Sequence, residues 1–463
     1  MIDDDVVAKV LGEALRKGGE FAEVFAEDRR SSAAGLDDGR VDNMVSGRER
    51  GAGIRVVVGE TTGFAHTSDL SERGLLQAAA AAGAAARSGG GGTRVVALDR
   101  VDAPSPSPVA VLPETVDKAT KVALLARADA AARAASDSVR QVSVVYGDSR
   151  RRILVANSDG VLAGDDQVKT RFAVSVVASA DTGMQTGRES IGHTMGFELF
   201  DRYRVEDLAE AAAARALAKL TARPAPSGRV PVVIKQGSGG ILFHEACGHG
   251  LEADHIAKDV SVFAHRVGQR VASPLVTLVD DGTMTGEWGA FAVDDEGHRA
   301  GRNVLIDGGV LTDYMWDWLR ARKEGRPSSG NGRRETYQHL PMVRMTNTFL
   351  ANGADDPDEI VRQTPNGVYV AQLGGGQVNT ATGDFVFGMT EAYLIEDGRL
   401  TEPLRDANLI GNGPQVLMDI DAVGNDFAMG GPGTCGKQGQ GVPVGTGQPT
   451  LRVAGMTVGG TAR

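Results

Sequence analysis

A proline-rich segment near the middle of the chain separates two stretches of very different character. Residues 223–228, RPAPSG, follow an Ala-rich helical pattern, and beyond them Gly, Asn and Asp punctuate short β-like runs. Clusters of Pro, Gly and Ser mark connections between structured units, and 463 residues exceed the usual length of one domain. The sequence therefore predicts two domains, 1–225 and 226–463, with the second domain richer in β-structure.

The first domain is predicted to alternate helices and strands. Four segments have helical apolar spacing: 6–19, 71–89, 114–136 and 205–222. Strand patterns, with a hairpin around Gly59, occupy 21–28, 53–69, 139–148, 151–160 and 170–181, and turn signals separate the last three. A surface loop is predicted where GGGG and DAPSPSP lie between two of the helices.

The second domain is predicted to open with a strand, RVPVVIKQ, a Gly-rich turn and a helix that carries HEACGH. Two later stretches, NVLIDGGVLTDY and AYLIEDGRLTEP, place Gly-Gly or Asp-Gly between apolar runs. These dipeptides favour tight hairpin turns, so both stretches are predicted to be β-hairpins.

The charge balance restricts the classes of partner. There are 49 basic and 60 acidic residues, and the formal net charge is −11. An acidic chain without a long basic run is a poor candidate for direct binding to nucleic acid or an anionic membrane.

The start, MIDDDVVAKV, lacks the features of a signal peptide, and two cysteines do not make a disulfide scaffold. A cytoplasmic protein is the simplest prediction.

The segment HEACGHG, residues 244–250, resembles the zinc-protease signature HExxH with one extra residue. His244 and His249 are five positions apart, so on a regular helix they diverge by roughly 140°. A π-bulge, or loosening of the helix at Gly248, would let both face one ion. Glu245 follows the first histidine, as the general base does in HExxH enzymes, where zinc activates water.

Three residues are candidates for a third ligand, and spacing alone does not choose among them. Cys247 is three positions after His244, on the same helical face, although it is also a suitable small core residue. His255 is six positions after His249, which is the ligand step of the H-x-x-G-x-x-H extension of the motif. That extension has glycine three positions after the histidine, whereas here Gly250 follows His249 directly. Cys435 lies in a predicted Gly-rich loop, GGPGTCGKQGQG, where glycine removes steric obstruction and would let the thiolate reach the site.

The same loop nearly matches a phosphate-binding P-loop. GPGTCGKQ ends in Gln438, where that motif needs a Ser or Thr hydroxyl. The following residues, GQGVPVGTGQP, do not form the helix whose N-terminus would hold phosphate. A nucleotide site is therefore not predicted.

The chain resembles the TldD/PmbA family of cytoplasmic metalloproteases, in its active, HExxxH-containing branch. The resemblance rests on GGILFHEACGHGLEAD at 239–254 and GGPGTCGKQGQGVPVGTGQPTLRV at 430–453, with family-like sequence at 369–398 between them. It implies that His244, His249 and Cys435 bind Zn²⁺ and that Glu245 is catalytic. It also implies a two-domain α+β subunit. It further implies a dimer, either of this chain alone or with a TldE/PmbA-like paralogue, that hydrolyses unfolded peptides entering as extended strands.

Two other functions remain as alternatives. One is a non-catalytic subunit that binds peptide or a partner and keeps a structural metal, which would need a fourth protein ligand such as Cys247 or His255. The other is a modulator of DNA topology, a function that has been attributed to the family. The acidic composition argues that any such effect would be indirect.

Overall fold

The computed structural model describes residues 1–86, 96–379 and 381–460. Its first half contains a mixed sheet covered by helices. The strands are β1 Phe21–Asp37, β2 Arg40–Val58, β3 Thr61–Thr67, β4 Asp99–Arg100, β5 Val139–Asn157, β6 Val161–Ala180 and β7 Gly183–His193. The helices are α1 Asp4–Leu15, α2 Glu72–Ala85, α3 Lys118–Ala134, α4 Leu199–Arg202 and α5 Val205–Leu220. The strands pair in the order β3-β2-β1-β5-β6-β4, with β7 also on β6.

The central strands of this sheet are long enough to enter two separate hydrophobic cores. At about 3.3 Å per residue, the 17 residues of β1 reach from one helical layer to another. Ala22 and Val24 pack with α1 and α2, whereas Ala34 and Leu36 pack with α3 and α5. The middle of the strand is polar and lies between the two cores.

One prediction for this half is wrong and another lies partly outside the described residues. β5 is a single strand of 19 residues, not two strands with a turn between them. Gly147 has an ordinary strand conformation, and Arg150 to Arg152 pair in register with β1 and β6, so no residue there reverses the chain. GGGG lies outside the described residues, while 102–108 is without helix or strand, as predicted.

The second half is dominated by strands, and its bounds follow. The strands are β8 Arg223–Pro224, β9 Gly228–Ile234, β10 Leu278–Asp281, β11 Arg302–Asp307, β12 Val310–Leu311, β13 Gly332–Arg333, β14 Met342–Val343, β15 Asn347–Leu350, β16 Asn366–Val378, β17 Asp384–Glu396, β18 Arg399–Arg405, β19 Asn408–Asn412, β20 Ile420–Val423, β21 Ala428–Met429, β22 Gly433–Lys437, β23 Gln440–Gln448 and β24 Leu451–Gly459. The helices are α6 Gly240–Ala246, α7 Ala253–Ile256, α8 Trp318–Lys323, α9 Pro357–Arg362 and α10 Gly413–Asp419.

These strands form two main sheets around one large hydrophobic core. In one sheet, β16, β9, β24, β19 and β17 pair successively, and β17 pairs back on β16, so the five strands form a closed ring. The other sheet has the order β12-β11-β10-β15-β23-β21, with β22 paired to β23. Both predicted hairpins are present, as β11–β12 and β17–β18. The predicted α+β class is confirmed, and the division between residues 225 and 226 stays a prediction.

A buried network of ion pairs joins the two halves. Arg55 bonds Glu23 in its own sheet and Glu296 in the second half, at 2.7 and 2.8 Å. Arg334 of the second half bonds Glu23 in return, and Arg151 bonds Asp295 at 2.8 Å. Buried charges that are paired tolerate few alternative arrangements, so these pairs hold the first sheet against the second half. Within the described residues, no helix is long and apolar enough to cross a bilayer.

Candidate metal centre

Two glycines allow α6 to lie directly against the sheet that carries the candidate site. A Cβ on Gly240, the first residue of α6, would lie 2.3 Å from the backbone nitrogen of Gly447 in β23. A Cβ on Gly248 would lie 2.2 Å from the sulfur of Met345. The close approach therefore requires glycine at Gly240 because the atom it would meet belongs to the backbone, and it brings His244 next to the β22–β23 hairpin.

The extra residue of the HExxxH motif is accommodated by ending the helix between the two histidines. α6 ends at Ala246, and Cys247 leaves the helical region with φ −127° and ψ −48°. A 3₁₀ turn, Gly248–Leu251, then carries His249. The break is one residue earlier than the Gly248 position expected from the sequence, and Gly248 does not adopt positive φ. Its lack of a side chain makes room for Met345 instead.

His244, His249 and Cys435 converge. One potential ligand atom from each lies within 4.8 Å of the others, and all three residues are buried. The Cys435 sulfur is 3.4 Å from Nε2 of His249, and the two imidazole centroids are 5.1 Å apart with their planes at 81°. Burial raises the pKa of the Cys435 thiol, but interaction with the two imidazoles outweighs it and lowers the pKa to about 5. The thiolate form that binds metals is therefore favoured.

A second observation, independent of these distances, indicates that the three residues fit a metal ion. Both ring nitrogens of His244 are buried, and neither has a hydrogen-bond partner among the described residues. Buried polar atoms are normally paired, and a metal would satisfy one of these nitrogens. Two imidazoles and a thiolate are donors that suit zinc.

The other two candidate ligands lie elsewhere. Cys247 is packed in the hydrophobic core of the second half, and burial raises the pKa of its thiol far above the ordinary value. His255 belongs to a separate group with Glu252 and Asp254. The Lys437 ammonium bonds two members of that group, Glu252 at 2.9 Å and Asp254 at 2.7 Å, so a cation already occupies the centre of this acidic group.

Glu252 and Lys437 were missed by the sequence analysis, and together they connect the two elements that carry the candidate ligands. Glu252 is fully buried, and its Oε2 accepts from Nδ1 of His249 at 3.1 Å. Burial raises the pKa of Glu252, but His249 and Lys437 outweigh it and lower the pKa to about 2. A carboxylate on the far nitrogen of a histidine fixes the ring and leaves the other nitrogen for a ligand.

Glu245 faces a cleft of about 740 Å³ that His244 also lines. Its carboxylate is 3.7 Å from Nε2 of His249, and its side chain is partly exposed, at 28%. The cleft walls come from β7 and α5 of the first half and from β16, α6 and residues 429–434 of the second. A water molecule or a peptide in this cleft would therefore have access to a carboxylate beside the histidine–cysteine group.

Sequence comparison identifies the family to which this chain belongs. The model of the PmbA/TldA metallopeptidase C-terminal domain matches residues 227–460, and the models of the central domain and of domain 1 match 112–220 and 22–86. The chain belongs to the PmbA/TldD metallopeptidase family. A Metalloprotease TldD homolog from Haemophilus influenzae is 38% identical over 449 residues, which are 96% of this chain and 93% of that protein.

Other relatives agree with this assignment. A Metalloprotease from Methanothermobacter thermautotrophicus is 36% identical over 462 residues, covering 99% of this chain and all of that protein. Among solved structures, TldE from Thermococcus kodakarensis superposes with a TM-score of 0.80 over 98% of this chain and 99% of TldE, at 18% identity. A putative modulator of a DNA gyrase from Thermotoga maritima gives 0.81 over 98% of this chain and all of that protein, at 19% identity. These structural similarities concern the fold.

The P-loop resemblance has a structural explanation. Gly433–Lys437 and Gln440–Gln448 are the paired strands β22 and β23. Gln438 and Gly439 connect them with φ of 51° and 78°, as a tight hairpin turn requires. The segment is therefore a β-hairpin that presents Cys435 and Lys437 on one strand, two positions apart.

Proposed function

We propose that this protein is a zinc-dependent peptidase that hydrolyses unstructured peptides. In this proposal His244, His249 and Cys435 bind the zinc ion and Glu245 is the general base. The observation that carries it is the meeting of two imidazoles and a thiol beside a carboxylate that opens onto a large cleft. The membership of the chain in a metallopeptidase family supports the same conclusion.

The chemistry divides between the metal and the chain. A zinc ion held by His244, His249 and Cys435 would supply a Lewis acid that acidifies water and polarises a carbonyl. Glu245 accepts the proton from the attacking water and transfers it to the leaving amine nitrogen. Glu252 holds His249 in the orientation that directs Nε2 toward the Cys435 sulfur. With only these three protein ligands, a bound zinc ion would keep one position for water, as catalytic zinc sites require.

Two observations support an unfolded peptide as the substrate: the chain belongs to a metallopeptidase family, and Glu245 faces a cleft of about 740 Å³. An extended chain binds mainly through its backbone, which tolerates many side chains but requires an unfolded segment. We infer that the protein cleaves disordered or destabilised chains without ATP.

We further propose that it acts as a dimer, with a second copy or with a TldE-like chain. Sedimentation of the protein alone, and then mixed with a TldE-like chain, would distinguish the two.

The test of this function uses one substrate protein in a folded and a destabilised form. We expect cleavage of the destabilised form, loss of cleavage after chelation, and recovery on adding zinc. Resistance of the folded form would follow because its backbone is unavailable for pairing. Peptide products would be measured by mass spectrometry. Equal cleavage of both forms inside the folded core would contradict the substrate class, and full activity without metal would contradict the zinc mechanism.

A matched pair of substitutions tests the role of Glu252. Glu252→Gln removes the charge that orients His249 and also bonds Lys437. Asp254→Asn removes a buried charge that bonds Lys437 but not His249. We expect Glu252→Gln to weaken zinc binding by about 10- to 100-fold, the usual effect of losing such a partner, and Asp254→Asn to weaken it much less. Competition with a chromophoric chelator gives both affinities. Equal losses would show that the acidic group acts only through Lys437.

A further inference from the structure

Two stacked rings and a carboxylate line the cleft that contains Glu245. His193, at the end of β7, stacks on Tyr203 with ring centroids 5.3 Å apart and planes at 16°. Nδ1 of His193 bonds the carbonyl oxygen of Gly286 at 3.1 Å, and Glu287 is the next residue. His193, Tyr203 and Glu287 all line the cleft that contains Glu245.

The Glu287 carboxylate lines the cleft without a partner among the described residues. In the described part of the chain, no donor bonds it and no cation pairs with it, whereas Glu189 pairs with Arg215 at 2.5 Å. Burial alone raises the pKa of Glu287 to about 7. A partly buried, unpaired carboxylate is unfavourable, and a cationic ligand would remove that penalty.

The turn that carries Glu287 is held in place from two sides. The Thr194 backbone N–H donates to Gly286 O at 2.9 Å, and the Thr194 hydroxyl donates to Glu287 O at 2.7 Å. The Trp288 indole donates to Gly433 O at 2.9 Å, and Gly433 lies two residues before Cys435 in β22. The position of Glu287 is therefore fixed relative to the hairpin that carries a proposed zinc ligand.

We propose that Glu287, with the stacked His193 and Tyr203 rings, forms a subsite for a cationic group of the peptide substrate, an ammonium or a guanidinium. A carboxylate makes strong charge-assisted hydrogen bonds to such groups, and an aromatic face attracts them. Burial lowers the pKa of His193, so its ring stays neutral beside a cation. The cleft also contains Arg188 and Lys235, whose positive charges disfavour a cation. We therefore expect the preference for a cationic group near Glu287 and not along the whole cleft. This inference rests on the proposed peptidase function.

Peptide binding to a variant that cannot cleave tests this subsite separately from catalysis. In zinc-loaded Glu245→Gln protein, we compare N-acetylated peptides that differ only in arginine or citrulline, its uncharged analogue. We expect the arginine peptide to bind about tenfold more tightly, from one charge-assisted contact. Adding Glu287→Gln should bring the ratio of dissociation constants close to one. Adding Glu210→Gln, which removes an exposed carboxylate outside the cleft, should leave the ratio unchanged.

A second peptide pair identifies the source of the cation. Peptides without Lys or Arg, with a free or an acetylated N-terminus, report on the α-amino group. A preference for the free terminus that depends on Glu287 assigns the subsite to that group, and a preference for arginine assigns it to a side chain. If neither preference depends on Glu287, the subsite is wrong. Cleavage of the same peptides by the unmodified protein is measured separately, so failure of the peptidase function is recognised independently.

Discussion

Glu245→Gln should lower the rate of peptide hydrolysis by about a hundredfold or more while the zinc content stays at the parent level. The two side chains have nearly the same shape, so the substitution removes proton transfer without opening a gap. Losing a general base costs a factor of about 10² to 10⁴. The carboxylate lies outside the group formed by His244, His249 and Cys435, so we expect metal binding not to depend on it.

The measurement combines initial rates on a disordered peptide with metal analysis of the same sample. Glu210→Gln is the control, because it makes the same chemical change at an exposed position on α5. A parent rate in Glu245→Gln protein would rule out the assigned base. Loss of zinc together with activity would instead indicate that Glu245 helps to hold the metal.

The general course of the fold could be predicted from local patterns. Ala-rich segments with helical spacing became α2, α3 and α5, and the Asp-Gly and Gly-Gly segments became hairpin turns. The length of the strands could not be predicted in this way. β5 continues through Arg150 to Arg152 because neighbouring strands supply acidic partners, Asp166 for Arg150 and Asp28 for Arg152. Such partners become visible only when the strands are paired.

The candidate site was predictable to the extent that its chemistry is local in sequence. His244, Glu245 and His249 form one short motif, but the residues that orient them are distant. Lys437 is 185 positions from Glu252, and no local spacing rule connects them. One local spacing could have identified Glu252. It follows His249 by three positions, a spacing that allows contact on a helical turn.

The choice among the candidate third ligands shows the same limit. Of the two cysteines, Cys247 is the nearer in sequence to the two histidines. The end of α6 nevertheless places it in the hydrophobic core. Cys435 is 186 positions from His249, and its sulfur nevertheless lies 3.4 Å from that imidazole. The tertiary structure brings the two together because α6 and the β22–β23 hairpin pack against one another through Gly240.

Replacing Cys435 with alanine should release most of the zinc, as should His244→Ala and His249→Ala, from a parent content of about one ion per chain. Each substitution removes one of three converging donors, and a site with two protein ligands binds zinc weakly. Metal analysis after dialysis measures the loss, and thermal unfolding of metal-free samples checks that the fold persists. Cys247→Ala and His255→Ala are the controls and should keep their zinc. Full retention in Cys435→Ala protein, with loss in His255→Ala protein, would move the third ligand to His255.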